Sequence, residues 1–235
     1  MADTGIAERL NEIQSFLANY HHPVLLAVSK YASLEQIIAA YRCGQRDFGE
    51  SKVQVLAEKE EALAAYPDIR WHFIGHLQTN KINQLLKIKR VVSIKAVDSW
   101  HLAAELYQKM QALPEHSALN FFWQINPNDQ DQKYGLKSYA ALKEVMVAWQ
   151  KLTPLANFKN VGLMVMSSLT TVEAQKDFAA AAEQTFFQTK IWAMQLAQEL
   201  NLPRLKLSMG MSQDFKIAAE VGTDEVRLGS CIFAE

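Results

Sequence analysis

The sequence predicts an α/β fold, a single (β/α)8 TIM barrel over residues 1–235 with one extra helix at the N-terminus. Three observations carry that expectation. Short apolar runs of strand length alternate eight times with segments of helical periodicity, the order that gives parallel strands and crossover helices. The first run, Val24-Leu25-Leu26-Ala27-Val28, is continuously apolar, as in a strand covered on both faces. No stretch rich in Gly, Pro or Ser divides the chain, and its length suits one closed barrel. An open sheet built from the same units is the alternative architecture.

In chain order, Ile6, Leu10, Ile13 and Leu17 recur at three- and four-residue spacing, so residues near Asp3 to Tyr20 form an amphipathic helix. His21-His22-Pro23 closes it. The strand to Lys30 follows, and Ser33 is placed to cap a helix through Leu34, Ile37, Ile38 and Tyr41. Gly44 ends that helix before a very short strand, Arg46 to Glu50, and a charged helix from about Lys52 to Ala65. Pro67-Asp68 turns the chain into a third strand, Arg70 to Gly75. Leu77 to Leu86 reads as helix and Arg90 to Val97 as a β-branched fourth strand. Asp98-Ser99 caps a helix through Met110; Phe121 to Asn126 is the fifth strand, and Ser138 to Leu152 the next helix. Asn160 to Met166 is the sixth strand, followed by a long helix from about Val172 to Leu200. Arg204 to Met209, a helix from Asp214 to Glu220, and Glu225 to Leu228 complete the alternation.

Composition narrows the function classes. Lysine plus arginine (24) nearly balances aspartate plus glutamate (25), which argues against a dedicated nucleic-acid binder. The lysines between Lys81 and Lys95 are interleaved with apolar residues, so a solvated helix and a strand start account for them. No charge-free run reaches membrane-spanning length, and MADTGIAERLNEIQ lacks the basic-then-apolar order of a signal peptide. Cys43 and Cys231 have neither metal nor redox spacing. A cytoplasmic protein without membrane or nucleic-acid partners is expected.

In a barrel, chemistry gathers where the strands end. Strand one delivers Ser29 and Lys30, strand two Gly49-Glu50-Ser51, strand three Gly75-His76, and strand five Asn126. Strand seven ends in Gly210-Met211-Ser212, and strand eight carries Arg227 before Gly229-Ser230. An isolated lysine at a strand end would simply reach water. Here the expectation is that entry into the barrel desolvates Lys30, exposing the neutral amine that attacks carbonyls. Barrels often hold phosphate between the loops after strands seven and eight. There Ser212 offers a hydroxyl, Gly229 and Ser230 offer N–H groups, and Arg227 supplies a cation. A phosphate pocket, a cation and an imine-competent lysine around one mouth describe a site for pyridoxal 5′-phosphate (PLP).

Five segments, LLAVSK, GQRDFGES, WHFIGHLQTNK, LSMGMSQDF and EVRLGSCIF, cover the chain in order from about residue 24 to 233. With them the sequence resembles the PLP homeostasis proteins, the YggS/PROSC-like family of pyridoxal phosphate-binding proteins. The resemblance implies the barrel of the alanine racemase N-terminal domain, fold type III among PLP proteins. It implies an internal aldimine, a Schiff base, on Lys30. Met211, Ser212, Gly229 and Ser230 would hold the phosphate, Arg227 would face the pyridine nitrogen, and Ser51 would stand beside the ring. A guanidinium does not readily donate a proton to that nitrogen, so the ring stays a poor electron sink. The family is described as non-enzymatic, acting in intracellular PLP supply and vitamin B6 balance. PLP-dependent apo-enzymes would be the recipients.

The sequence departs from the family pattern where Ser51-Lys52 replace a usual Asn-Tyr, Tyr31 and Ser230 replace threonines, and Ala234 replaces a glycine. Lys52, if it lies near Lys30, would lower the latter's pKa by repulsion; otherwise it is a solvated helix lysine. His72 and His76 have the spacing of helical zinc ligands but fall on a strand and its exit, so no metal is expected. His76 would border the mouth and His72 would be structural. Racemases and decarboxylases on this barrel add a β-domain beyond it and complete their sites across a dimer. With the chain stopping at Glu235, a monomeric carrier without catalytic activity is expected. The alternatives are a weak PLP-dependent amino-acid racemase, or a barrel enzyme for another phosphorylated metabolite.

Overall fold

Among the described residues, eight parallel strands pair in sequence order and close on themselves, β1 with β8. The computed structural model describes residues 2–112, 119–128, 134–153, 161–167 and 178–234. The strands are β1 Val24–Val28, β2 Asp47–Glu50, β3 Arg70–Phe73, β4 Val91–Val97, β5 Asn120–Gln124, β6 Val161–Met164, β7 Lys206–Ser208 and β8 Glu225–Leu228. The helices are α1 Ala2–Leu17, α2 Leu34–Arg42, α3 Val53–Ala62, α4 Ile82–Leu85, α5 Trp100–Met110, α6 Tyr139–Leu152, α7 Phe178–Glu199, α8 Phe215–Val221 and α9 Ser230–Phe233. The closed barrel, and not the open sheet, is the architecture. Asn160 and the proposed helical residues 172–177 lie outside the described residues.

Local chemistry sets the helix starts as expected. The Ser33 side chain accepts from the Gln36 N–H while the Gln36 side chain accepts from the Ser33 N–H, a reciprocal cap for α2. Ser99 and Ser138 cap α5 and α6 by accepting from Leu102 and Ala141. A continuous helix over Leu77–Leu86 is not found. Only a 3-10 turn at Thr79–Lys81 and the four residues of α4 form there, and neither start has a side-chain cap. The short α9, opening directly after Gly229, was not expected from the sequence.

The two faces of each strand differ in chemistry. On β8, Val226 and Leu228 join the large apolar cluster shared with the helices, while Glu225 and Arg227 bond other polar groups inside the barrel. Ile6, Leu10, Ile13 and Leu17 of α1 belong to that cluster. Each fully buried aliphatic side chain contributes about 1.5–3 kcal/mol. Helix α1 packs against α2 and α9, and Arg9 Nε donates to the Ile232 carbonyl at 2.8 Å. The extra helix thus braces the segment that follows the last strand.

Candidate functional site at the C-terminal mouth

Seven sequence-predicted residues, Lys30, Ser51, Met211, Ser212, Arg227, Gly229 and Ser230, line one cavity of about 570 Å³ at the ends of the strands. The backbone around each is fixed by identifiable contacts. Ser29 is buried; its N–H donates to the Gly49 carbonyl at 2.9 Å and its hydroxyl to Glu50 at 3.3 Å. Lys59 Nζ bonds the Ser29 carbonyl at 2.7 Å and pairs with the buried Glu50 carboxylate. Lys30 leaves this clamp two residues beyond β1, with its Nζ 5.0 Å from the centroid of the Tyr31 ring. The expected desolvation is not found, because the Lys30 side chain is exposed. The strand stops at Val28, so the lysine stands on the turn at the mouth and not within the barrel wall.

Ser51 reaches the cavity because two loops touch there. A Cβ on Gly75 would lie 2.0 Å from the Ser51 carbonyl oxygen, so only glycine lets the exits of β2 and β3 approach so closely. Gly210 is required for another reason. It has φ +95°, and a Cβ would fall 2.7 Å from the Ala218 Cβ. The loop it opens is closed by Asp214, whose carboxylate accepts from the Met211 N–H at 2.5 Å and from the Ser167 hydroxyl. Ser212 Oγ accepts from the N–H groups of Gly229 and Cys231, at 3.3 and 3.4 Å. Those backbone donors converge on an oxygen, which is the geometry an oxyanion also needs.

Arg227 is buried against the cavity floor. Its NH1 donates to the Ser208 carbonyl at 2.7 Å and hydroxyl at 2.6 Å, and NH2 to the Val165 carbonyl at 2.7 Å. Burial draws the guanidinium pKa down, while Glu225 and Asp214 oppose that shift. The partner this arginine needs is therefore supplied by neighbouring strands, not by a direct carboxylate pair.

Other candidates fall elsewhere. His76 does not line the cavity; its ring stacks on Tyr134 at 4.3 Å and Nδ1 meets Asp98 at 3.0 Å. Lys52 is exposed at the start of α3 and does not line the cavity either. Buried His72 bonds Ser93 and Asp47, at 2.7 and 2.8 Å, so it is a structural group. No cluster of three metal-ligating side chains occurs among the described residues.

Tyr31, Met164, Met166 and Asp214 also line the cavity without having been singled out for it. Asp214 carried a signal: an acid three residues after Met211, at a helix start, is placed to accept a loop N–H. Tyr31 carried none beyond its place beside Lys30.

This arrangement has relatives. The pyridoxal phosphate homeostasis protein of Mus musculus is 35% identical over 221 residues, covering 91% of this chain and 77% of the mouse protein. The chain belongs to the pyridoxal phosphate homeostasis protein family. No family model matches the chain. Among solved structures, PipY of Synechococcus elongatus PCC7942 superposes with a TM-score of 0.83, both without PLP at 33% identity and with PLP bound at 32%. Both comparisons cover 97% of this chain and all of PipY. Alanine racemase of E. faecalis shares the fold, with a TM-score of 0.64 at 15% identity over 99% of this chain and 58% of the racemase.

Proposed function

We propose that this protein binds PLP at the C-terminal mouth and takes part in PLP homeostasis as a carrier without a dedicated catalytic activity. The observation that supports it is the meeting of a reachable amine, Lys30, with convergent backbone N–H groups and a buried guanidinium around one cavity. The family's name and the PLP-bound PipY structure support the same reading.

When bound, PLP supplies an aldehyde with which a primary amine condenses, releasing water. Lys30 is the residue that would hold it covalently. The Gly229 and Cys231 N–H groups, Ser230 and the Ser212 hydroxyl would bind its phosphate, on a loop shaped by Gly210, Met211 and Asp214. Arg227 would face the ring nitrogen and, as a guanidinium, would not protonate it. Ser51 would border the ring. Met164, Met166 and Ile74 form an apolar wall that excludes water from the ring side. Among the described lining residues the ionisable groups besides Lys30 and Arg227 are Tyr31, next to Lys30 in the chain, and Asp214, already bonded to the Met211 N–H and the Ser167 hydroxyl, which favours carrying over racemisation. PLP-dependent apo-enzymes would receive the cofactor. The unpaired Cys43 and Cys231 fit a reducing, cytoplasmic setting, and we expect a monomer of one domain.

A visible absorption titration tests this. Wild-type protein mixed with PLP should gain a band shifted from that of free PLP, and Lys30→Ala should not. An identical band in both proteins refutes the assignment of Lys30.

A further inference from the structure

The opposite end of the barrel holds a second cavity, of about 730 Å³, which the cofactor reading leaves unused. Its walls are charged, and the charges do not cancel. Arg70 pairs with Asp47 at 2.5 Å, Arg204 with Asp224 at 2.8 Å, and buried Lys95 with Glu225 at 2.7 Å. Every acidic residue of the lining is thereby matched. Lys206, His21 and His22 also line it and have no ion pair among the described residues. Both histidines have positive φ, 47° and 50°, a conformation uncommon for side-chain-bearing residues and one that tends to persist where a ligand or fold constraint exploits it. A cavity whose acids are matched, and which keeps one unmatched lysine beside two imidazoles able to donate hydrogen bonds, is complementary to an anion.

The floor of this cavity is wired to the other mouth. Glu225 accepts from Lys95 with one carboxylate oxygen and from the Ser208 hydroxyl, at 2.7 Å, with the other. The same Ser208 hydroxyl accepts from Arg227 at 2.6 Å, and Arg227 lines the first cavity. Lys95, Glu225, Ser208 and Arg227 thus form one continuous hydrogen-bonded chain along the barrel interior, where charges are screened little.

We propose that the N-terminal mouth is a second ligand site, for a small anion bearing phosphate or carboxylate groups, and that its occupation loosens the hold of the C-terminal mouth on PLP. The anion would bind through Lys206, His21 and His22. Without touching the enclosed Lys95, its charge would act through the cavity floor on the Lys95–Glu225 pair, adding negative character to the chain that ends at Arg227, which weakens binding of an anionic cofactor. The coupling half rests on the proposed function; the site itself does not.

Inorganic phosphate is the probe, used at constant ionic strength. PLP is first fixed on the protein with borohydride, so that phosphate does not reach the C-terminal cradle. Calorimetry should then show one equivalent of phosphate bound to wild type, weakened at least tenfold in Lys206→Met. Since Lys206 is exposed, that variant folds without the loss of a buried group. No saturable binding, or equal binding by both proteins, overturns the site. For coupling, saturating phosphate should raise the apparent Kd for PLP about threefold more in wild type than in Lys206→Met, because direct competition is common to both. Equal rises overturn the coupling. Should borohydride fix nothing on Lys30, the cofactor reading fails by itself. The comparison of wild type with Lys206→Met on PLP-free protein still reads the N-terminal mouth.

Discussion

The two mouths of the barrel use lysine in opposite ways. At the N-terminal end Lys95 is 1% exposed, its ammonium held by Glu225 and lying 3.6 Å from the centroid of the Phe122 ring. At the C-terminal end Lys30 is exposed, forms no ion pair among the described residues, and borders an apolar wall. Burial lowers the Lys95 pKa and Glu225 counters it; for Glu225 burial alone would raise the pKa, but Lys95, His72 and Ser208 bring it below the ordinary value. An amine so enclosed stabilises the fold and is not available to a ligand. The contrast teaches that a residue for covalent chemistry is recognised by access and neighbours, and not by burial alone.

The largest expected effect breaks the enclosed pair. Lys95→Met leaves Glu225 buried without its cation and should cost about 3–5 kcal/mol in urea unfolding, with most of the loss recovered in Lys95→Met/Glu225→Gln. A loss below about 1 kcal/mol would mean that the pair does not organise the interior. Next in size, Gly75→Ala forces the backbone at Ser51 to move and should cost about 1–3 kcal/mol. Unchanged stability would show that the two loops have freedom to separate.

Acid should act on the N-terminal end in two stages. Burial pushes the His72 imidazole pKa down, with only partial opposition from Asp47. For Asp47, burial alone would raise the pKa, but Arg70 and His72 hold it well below the usual carboxylate range. An unfolded histidine binds its proton near pH 6.5, so stability falls as pH drops below that value while His72 stays neutral in the fold. Asp47 adds stability that is full above about pH 4 and lost as pH falls further, toward its depressed folded pKa. Each group approaches a slope of about 1.4 kcal/mol per pH unit. His72→Gln should remove the first stage; a first stage that persists would show that His72 is not its source. The smallest effect sharpens the contrast: Lys30→Ala should change stability by no more than about 0.5 kcal/mol while abolishing covalent retention of PLP.

Much of this was legible in residue patterns. The eight strands follow from short apolar runs, and Ser33, Ser99 and Ser138 announced their helices because a cap acts within one turn. Lys30, Ser212, Gly229 and Ser230 were found by asking which side chains follow strand ends, a rule of topology; Arg227 stood out as a cation on an apolar strand, and the family resemblance added Ser51 and Met211. What escaped depends on distance in space. The 3-10 break near Thr79 reflects missing local caps against an apolar pattern that suggested a longer helix. The exposure of Lys30 follows from β1 ending at Val28, where the apolar run ends, and not at Lys30, to which the strand was expected to run. The chain from Lys95 through Glu225 and Ser208 to Arg227 joins four residues on three strands, and no spacing in the sequence reveals it.

The central assignment, Lys30 as the amine that holds the cofactor, is tested most directly by reducing the PLP-loaded protein with borohydride and mapping the labelled peptide by mass spectrometry. The account predicts one pyridoxyl group, on Lys30, and none on Lys52, Lys59 or Lys95. A label on any other lysine, or none at all, contradicts it.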